Sequence, residues 1–171
     1  GITASGGRTA AFDDDGTFEG DLGTFTVTVA SSKTLTTTAA IANGKTIGGS
    51  GSVAITALHS TLAADLSGIT ASGGRTAAFD DNGTFTGDLG TTTVTVANTK
   101  TMTAAANKVA GKTINKVGGG DGALAVKLVS TSDDGGVNLT TVGGTATQTF
   151  EVTGNVTFSG TLHGSIKTSV A

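Results

Sequence analysis

A block of forty residues occurs twice in this chain. GITASGGRTAAFDDDGTFEGDLGTFTVTVASSKTLTTTAA opens at Gly1 and GITASGGRTAAFDDNGTFTGDLGTTTVTVANTKTMTAAAN at Gly68, with 31 of 40 positions identical at an offset of 67 residues. Internal repetition constrains the fold before any single residue does, because each repeat buries its apolar face on its neighbours. A tandem array without a concentration of reactive side chains points to a spacer or a binding surface rather than an enzyme.

The repetition continues past the block. Asn43–Leu58 returns as Ala110–Leu128, its front half at the same offset and its back half at 71. The four extra residues fall in the Gly-rich stretch Asn115–Asp121, which reads as a loop insertion. A third copy then decays: Thr61–Thr70 is faintly echoed at Gly135–Gly144, and Phe158 aligns with Phe18 and Phe85. The organisation expected is repeat 1 at 1–67, repeat 2 at 68–134 with its insertion near 115–121, and a degenerate partial repeat at 135–171 that serves as a cap or an assembly edge. An opening at a repeat boundary without Met, and a stop inside the third copy, fit a mature fragment or a piece of a longer array.

The repeat unit is rich in strand formers. Thr supplies 35 of the 171 residues and Gly 28, while Pro, Cys, Trp and Tyr are absent. Thr and Val suit a pleated backbone and Gly punctuates it. Charged residues make up only 13%, which argues against disorder. The lack of Cys excludes disulfides, zinc-thiolate sites and thiol nucleophiles together. No apolar run approaches the length of a membrane-spanning helix. A net charge of −3, with Lys and Arg scattered, disfavours nucleic acid as a partner.

Local patterning points the same way. In Thr24–Ala30, Phe25, Val27 and Val29 alternate with Thr24, Thr26 and Thr28, the pattern of a half-buried strand. Thr91–Ala97 repeats it with Thr92 in place of Phe25, and Ser52–Leu58 alternates likewise. Shorter strands are expected near Arg8–Phe12, Thr17–Phe18, Lys33–Thr38, Lys45–Ile47 and Leu66–Thr70, separated by Gly and Asx turns. The core is expected to hold Phe18, Phe25, Val27, Val29, Val53, Ile55, Leu66 and Ile69, with Phe85, Val94, Val96, Leu124 and Val126 from the second copy. Ser60–Leu66 is the one helical candidate and is too short for more than a turn. These features predict an all-β chain. A tandem-repeat β-solenoid with about three short coils per repeat fits best, and tandem small β-sandwiches are the alternative. The absence of Pro fits coils that pair above and below.

Candidate chemistry is sparse. Asp13-Asp14-Asp15 and Asp80-Asp81-Asn82 occupy the same place in the two copies, followed by Asp21 and Asp88. Such carboxylate clusters are candidates for Ca²⁺, although their spacing matches no EF-hand loop or calcium-binding nonapeptide. The competing reading is an Asx-Gly turn whose side chains cap local N–H groups. If calcium binds, both clusters should bind it, since the site would be inherited with the repeat. Arg8 and Arg75 are expected to pair with Asp13 and Asp80 across these turns. His59 and His163 do not align between copies and lack a repeated Ser or Asp partner. No nucleophile elbow, zinc helix or phosphate loop is present, so no catalytic residue, and no cofactor apart from calcium, is expected. Alternating Thr such as Thr24/Thr26/Thr28 and Thr91/Thr93/Thr95 also suit an ice-binding face, but they cluster in two strands per repeat. The last segment keeps Phe158, Leu162, Ile166 and Val170 in alternation, an unprotected edge suited to head-to-tail contact with another copy or with the rest of a longer chain.

Leu62–Thr70, Gly83–Ala97 and Ala104–Ile114 together resemble the Thr/Gly-rich β-strand repeats of very long bacterial surface proteins, adhesin-like or S-layer-like. The resemblance spans about residues 1–128 and implies secretion, a cell-surface location and a structural or adhesive role in a fibre, surface layer or biofilm. It carries no active-site residue. The expected function is therefore a non-enzymatic structural module. A phage tail fibre or tailspike segment, and a glycan- or ice-binding surface, are the alternatives.

Overall fold

The computed structural model describes residues 7–128, 139, 142–152, 161 and 167–170. The chain is a β-solenoid of about six turns, built almost wholly of parallel strands. Repeat 1 contributes β1 (Thr9–Phe12), β2 (Gly16–Phe18), β3 (Thr26–Val29), β4 (Thr34–Thr38), β5 (Ile47–Gly49) and β6 (Ser52–Leu58). Repeat 2 contributes β7 (Gly74–Phe79), β8 (Gly83–Phe85), β9 (Thr93–Val96), β10 (Thr101–Ala105), β11 (Ile114–Lys116) and β12 (Ala123–Leu128). Beyond it lie β13 (Thr147–Val152) and β14 (Lys167–Val170). Two single helical turns, α1 (Ala39–Ala42) and α2 (Ala106–Val109), follow β4 and β10.

Three parallel sheets form the sides of the solenoid. The first runs β1-β3-β5 and is continued by a bridge from Ile47 to Ile69. The second runs β2-β4-β6-β7-β9-β11. The third runs β8-β10-β12-β13-β14 and starts over residues 60–64: Gly83 packs on Ser60, and the Asp88 amide donates to the Ala64 carbonyl at 2.9 Å.

The second repeat does not stack strand for strand on the first. Thr9 and Thr76 are equivalent in sequence, and each pairs with the strand that follows on its own side, Thr9 with Thr26 and Thr76 with Thr93. Yet β1 belongs to the first side, whereas β7 pairs with β6 and belongs to the second. The strands β8, β10 and β12 are likewise moved from the second side to the third. A repeat therefore advances three coils and one further side, which refines the expectation of about three coils.

Each turn of the solenoid carries one corner of constant design. The amide of the fourth residue donates to the carbonyl of the first in Leu22–Phe25, Ala42–Lys45, Leu66–Ile69, Leu89–Thr92, Val109–Lys112 and Leu139–Val142, at 3.0–3.1 Å. The first residue of each is a buried aliphatic that anchors the corner in the core. Glycine is needed where coils close up: Gly49 has φ +102, and a Cβ there would strike the Val29 carbonyl of the preceding coil.

The interior is a column of Leu, Ile, Val, Ala and Phe in register from coil to coil. Leu35 lies opposite Val53 on one row, and Thr37, Ile55 and Ala77 align on the next. Each Leu, Ile or Val fully buried in this way contributes about 1.5–3 kcal/mol. Val27, Val29, Val53, Ile55, Leu66, Ile69, Phe85, Val94, Val96, Leu124 and Val126 are buried as the alternation predicts. Two residues depart from the expectation. Phe25 is 38% exposed at the corner of the first coil, whereas Thr92, at the same corner of the second repeat, is 2% exposed. Phe18 is only half-buried, packed against the edge of the core.

Other boundaries also differ from the expectation. Residues 66–70 form no strand, only the single bridge at Ile69. The segment from Ser60 begins with a turn, and the helical turns fall instead at α1 and α2. Thr38 caps α1 by accepting the Ile41 amide at 3.3 Å. Of the expected insertion, Asn115 and Lys116 belong to β11, and the loop proper follows it, Val117–Gly120 closing with a 2.7 Å hydrogen bond.

Candidate functional site

The acidic corners hold the densest arrangement of charged side chains, and their geometry follows from coil stacking. Asp15 Oδ1 accepts the Thr34 amide at 2.7 Å, and Asn82 Oδ1 accepts the Thr101 amide at 2.8 Å. In both copies the acceptor reaches 19 residues forward to the next coil. An acceptor oxygen is all this cap requires, which explains why Asp and Asn exchange between copies.

The preceding residues diverge. Asp14 Oδ1 lies 3.3 Å from Lys33 Nζ and accepts the Asp15 amide at 3.0 Å. The Lys33 hydrogen bond, then the Asp15 amide, holds its carboxyl below the ordinary aspartate range. Its counterpart Asp81 reaches backward. It accepts the Ser60 amide at 3.1 Å and the Ser60 hydroxyl at 2.7 Å. Beside it, His59 Nδ1 lies 2.9 Å from Asp80 Oδ1.

A second set of carboxylates forms Asx turns. Asp21 accepts the Gly23 amide at 2.7 Å, Asp65 the Ser67 amide at 2.9 Å and Asp88 the Gly90 amide at 2.8 Å. Asp65 also accepts the Ser67 hydroxyl at 2.6 Å, and these bonds lower its pKa. The tripeptides Asp21-Leu22-Gly23, Asp65-Leu66-Ser67 and Asp88-Leu89-Gly90 thus share one device: the Leu is buried and the Asp bonds the residue after it.

The candidate calcium ligands are accordingly spread over successive corners. Asp13–Asp15 lie between β1 and β2, and Asp80–Asn82 between β7 and β8, one side further round. Asp21 and Asp88 belong to separate turns. Among the described residues no three carboxylates or imidazoles converge as a cation site would require. The carboxylates other than Asp13 act as hydrogen-bond acceptors that fasten turns and coils.

Three pairings differ from those expected. Arg8 stacks over the Phe25 ring, 5.6 Å from its centroid, and does not meet Asp13. Arg75 turns inward and donates to the Ala71 carbonyl, leaving Asp80 to His59. His59 thereby has the Asp partner that repeat alignment did not reveal, because the bond crosses between copies. His163, Phe158, Leu162 and Ile166 lie outside the described residues. Val170 ends β14 opposite Val152, and β14 pairs with β13 alone among the described strands.

Outward Thr residues align on neighbouring coils, as in Thr9 with Thr26 and Thr17 with Thr36, but Ala11, Gly48 and Ala54 interrupt the rows. A surface hollow of about 420 Å³ lies between Glu19, Asp21, Ile41 and Lys45, with the Asp21–Lys45 pair (3.8 Å) on its rim. Ser60 and Asn43, both absent from the sequence-based candidates, complete the inter-coil bonds, Asn43 by accepting the Asp65 amide at 2.8 Å. The recurring Asp-Leu-Gly/Ser signal marks them indirectly, since its spacing of 23 between Asp65 and Asp88 is a coil length.

No protein-family model matches the chain, and no curated protein or solved structure matches it.

Proposed function

We propose that this chain is a non-enzymatic structural module of an extracellular fibre, surface layer or large adhesin, working through stiffness, reach and stacking. The observation that carries this reading is the use made of its polar side chains. Asp15, Asn82, Asp81 and Asn43 each spend an acceptor on fastening one coil to another. The resulting rod rises about 4.8 Å per coil on continuous parallel ladders. Head-to-tail association of copies is one form this function takes.

Light scattering on the purified chain over a wide concentration range tests the proposal. Open-ended association or a stable monomeric rod is expected. A closed trimer would overturn the surface-module reading in favour of a viral fibre.

A further inference from the structure

The two repeats offer an internal template for what covers the first coil. β7, the counterpart of β1, pairs on both of its edges, with β6 and β9. β1 pairs with β3 alone among the described residues. Phe79 and Phe85 are fully buried under the coil that ends repeat 1, while their equivalents Phe12 and Phe18 are half-buried. Phe18, Phe25, Ala10 and Leu22 border an apolar hollow of about 210 Å³ at this end. Asp21 is its polar rim.

The polar contacts tell the same story. In the second repeat, Asp80 and Asp81 receive His59 Nδ1 and the Ser60 amide and hydroxyl from the coil before. Asp13 and Asp14 hold the same corner in the first repeat. No described residue donates to Asp13, and Asp14 is 92% exposed beside Lys33. The covering coil is the one that contains Leu58-His59-Ser60. Ser67 then runs directly into Gly68, the counterpart of Gly1.

We propose that the end of the solenoid bearing Phe12, Phe18, Asp13 and Asp14 is a docking face for one more coil with the chemistry of residues 47–67. That coil pairs in parallel with β1, sets an apolar residue on Phe12 as Leu58 sits opposite Phe79, and donates to Asp13 and Asp14 through a His-Ser step. The inference rests on the structural reading above but adds the recognition chemistry of one end.

The test places a copy of residues 43–67 ahead of Gly1 in the full chain and measures amide hydrogen exchange. Exchange in β1 and β2 is expected to slow at least about tenfold towards the rates of β7 and β8. Asp14→Ala should reverse most of that gain in the extended chain. It should alter β1 and β2 of the original chain far less, since there it costs only the exposed Lys33 contact and the Asp15 amide bond. Unaltered exchange in β1 and β2 on extension, or indifference to Asp14→Ala in both chains, would overturn the proposal. A measurement independent of the fusion is titration of a synthetic 47–67 peptide into the unaltered chain. Shifts concentrated in the NMR signals of β1, Asp13, Asp14 and Phe18 support docking, and their absence at millimolar peptide counts against it. The two readings fail separately: a closed trimer in light scattering overturns the surface-module reading whatever the exchange shows, and unaltered exchange on extension overturns the docking face whatever the oligomeric state.

Discussion

The first coil of repeat 1 and the first coil of repeat 2 have nearly the same sequence and different surroundings. TAAFDD occurs in both, and so does GDLG. In the second copy Phe79, Phe85 and Leu89 are completely buried, and Asp80 and Asp81 are bonded backward. In the first copy Phe12 and Phe18 are half-covered and Asp14 turns forward to Lys33. Burial in a solenoid is therefore a property of position in the stack as much as of residue type. The contrast holds even where the residues differ: Phe25 is exposed, whereas Thr92 is 2% exposed with its hydroxyl unpaired.

The largest effect that could break this comparison comes from the aromatic residues. Phe79→Ala or Phe85→Ala should cost about 3–5 kcal/mol by urea denaturation, the range for large cavities. Phe12→Ala and Phe18→Ala should cost less than half as much, and equal losses in the two copies would show that the first coil is already covered. Next come the acids. Asp81→Ala leaves the part-buried Ser60 amide and hydroxyl without their acceptor, a loss of about 1–3 kcal/mol. Asp14→Ala should lower the urea midpoint far less, because its carboxylate is exposed beside Lys33.

A smaller effect of opposite sign is expected at Thr92. Thr92→Val removes a buried unpaired hydroxyl and should stabilise by up to about 1 kcal/mol, read as a higher urea midpoint. Phe25→Thr, which installs the residue that the second copy carries, should cost about 0.5 kcal/mol through loss of the exposed Arg8 contact. The smallest effect is the acid response. Asp14 and Asp65 have lowered pKa values in the fold. Their contribution is complete above the unfolded aspartate value of about 4 and is lost as pH falls through the lowered folded values. Asp65→Asn should lower the melting temperature slightly at pH 7 and flatten the acid limb of a thermal-melt series below about pH 4, where the two chains converge.

Much of the fold was legible because its strands alternate. Val27 and Val29 face in and Thr26 and Thr28 face out, as a period of two requires. Alternation did not reveal that Phe25 precedes the strand, since a corner residue can continue the pattern by chance. The helical turns α1 and α2 were missed because four residues carry no helical period. The repeat was visible and its rotation was not: identity at an offset of 67 says nothing about which side each copy joins. The acidic corners were visible in the sequence as Asx-Gly segments, but Asp15, Asp81 and Asn82 bond groups on other coils and not the local N–H groups expected of such turns. His59 meets Asp80 across 21 positions of chain, and no local motif announces such a bond.

The surplus of one side per repeat has a geometric consequence. Any feature fixed to the 67-residue unit, such as its acidic corner or its helical turn, climbs the rod as a spiral stair instead of forming a stripe. Reiterated, the unit would face its original direction only after three repeats, or about ten coils, a rise of roughly 48 Å at 4.8 Å per coil. A flat partner laid along such a rod would meet each kind of surface in rotation, and only a partner that wraps around it could follow a single one.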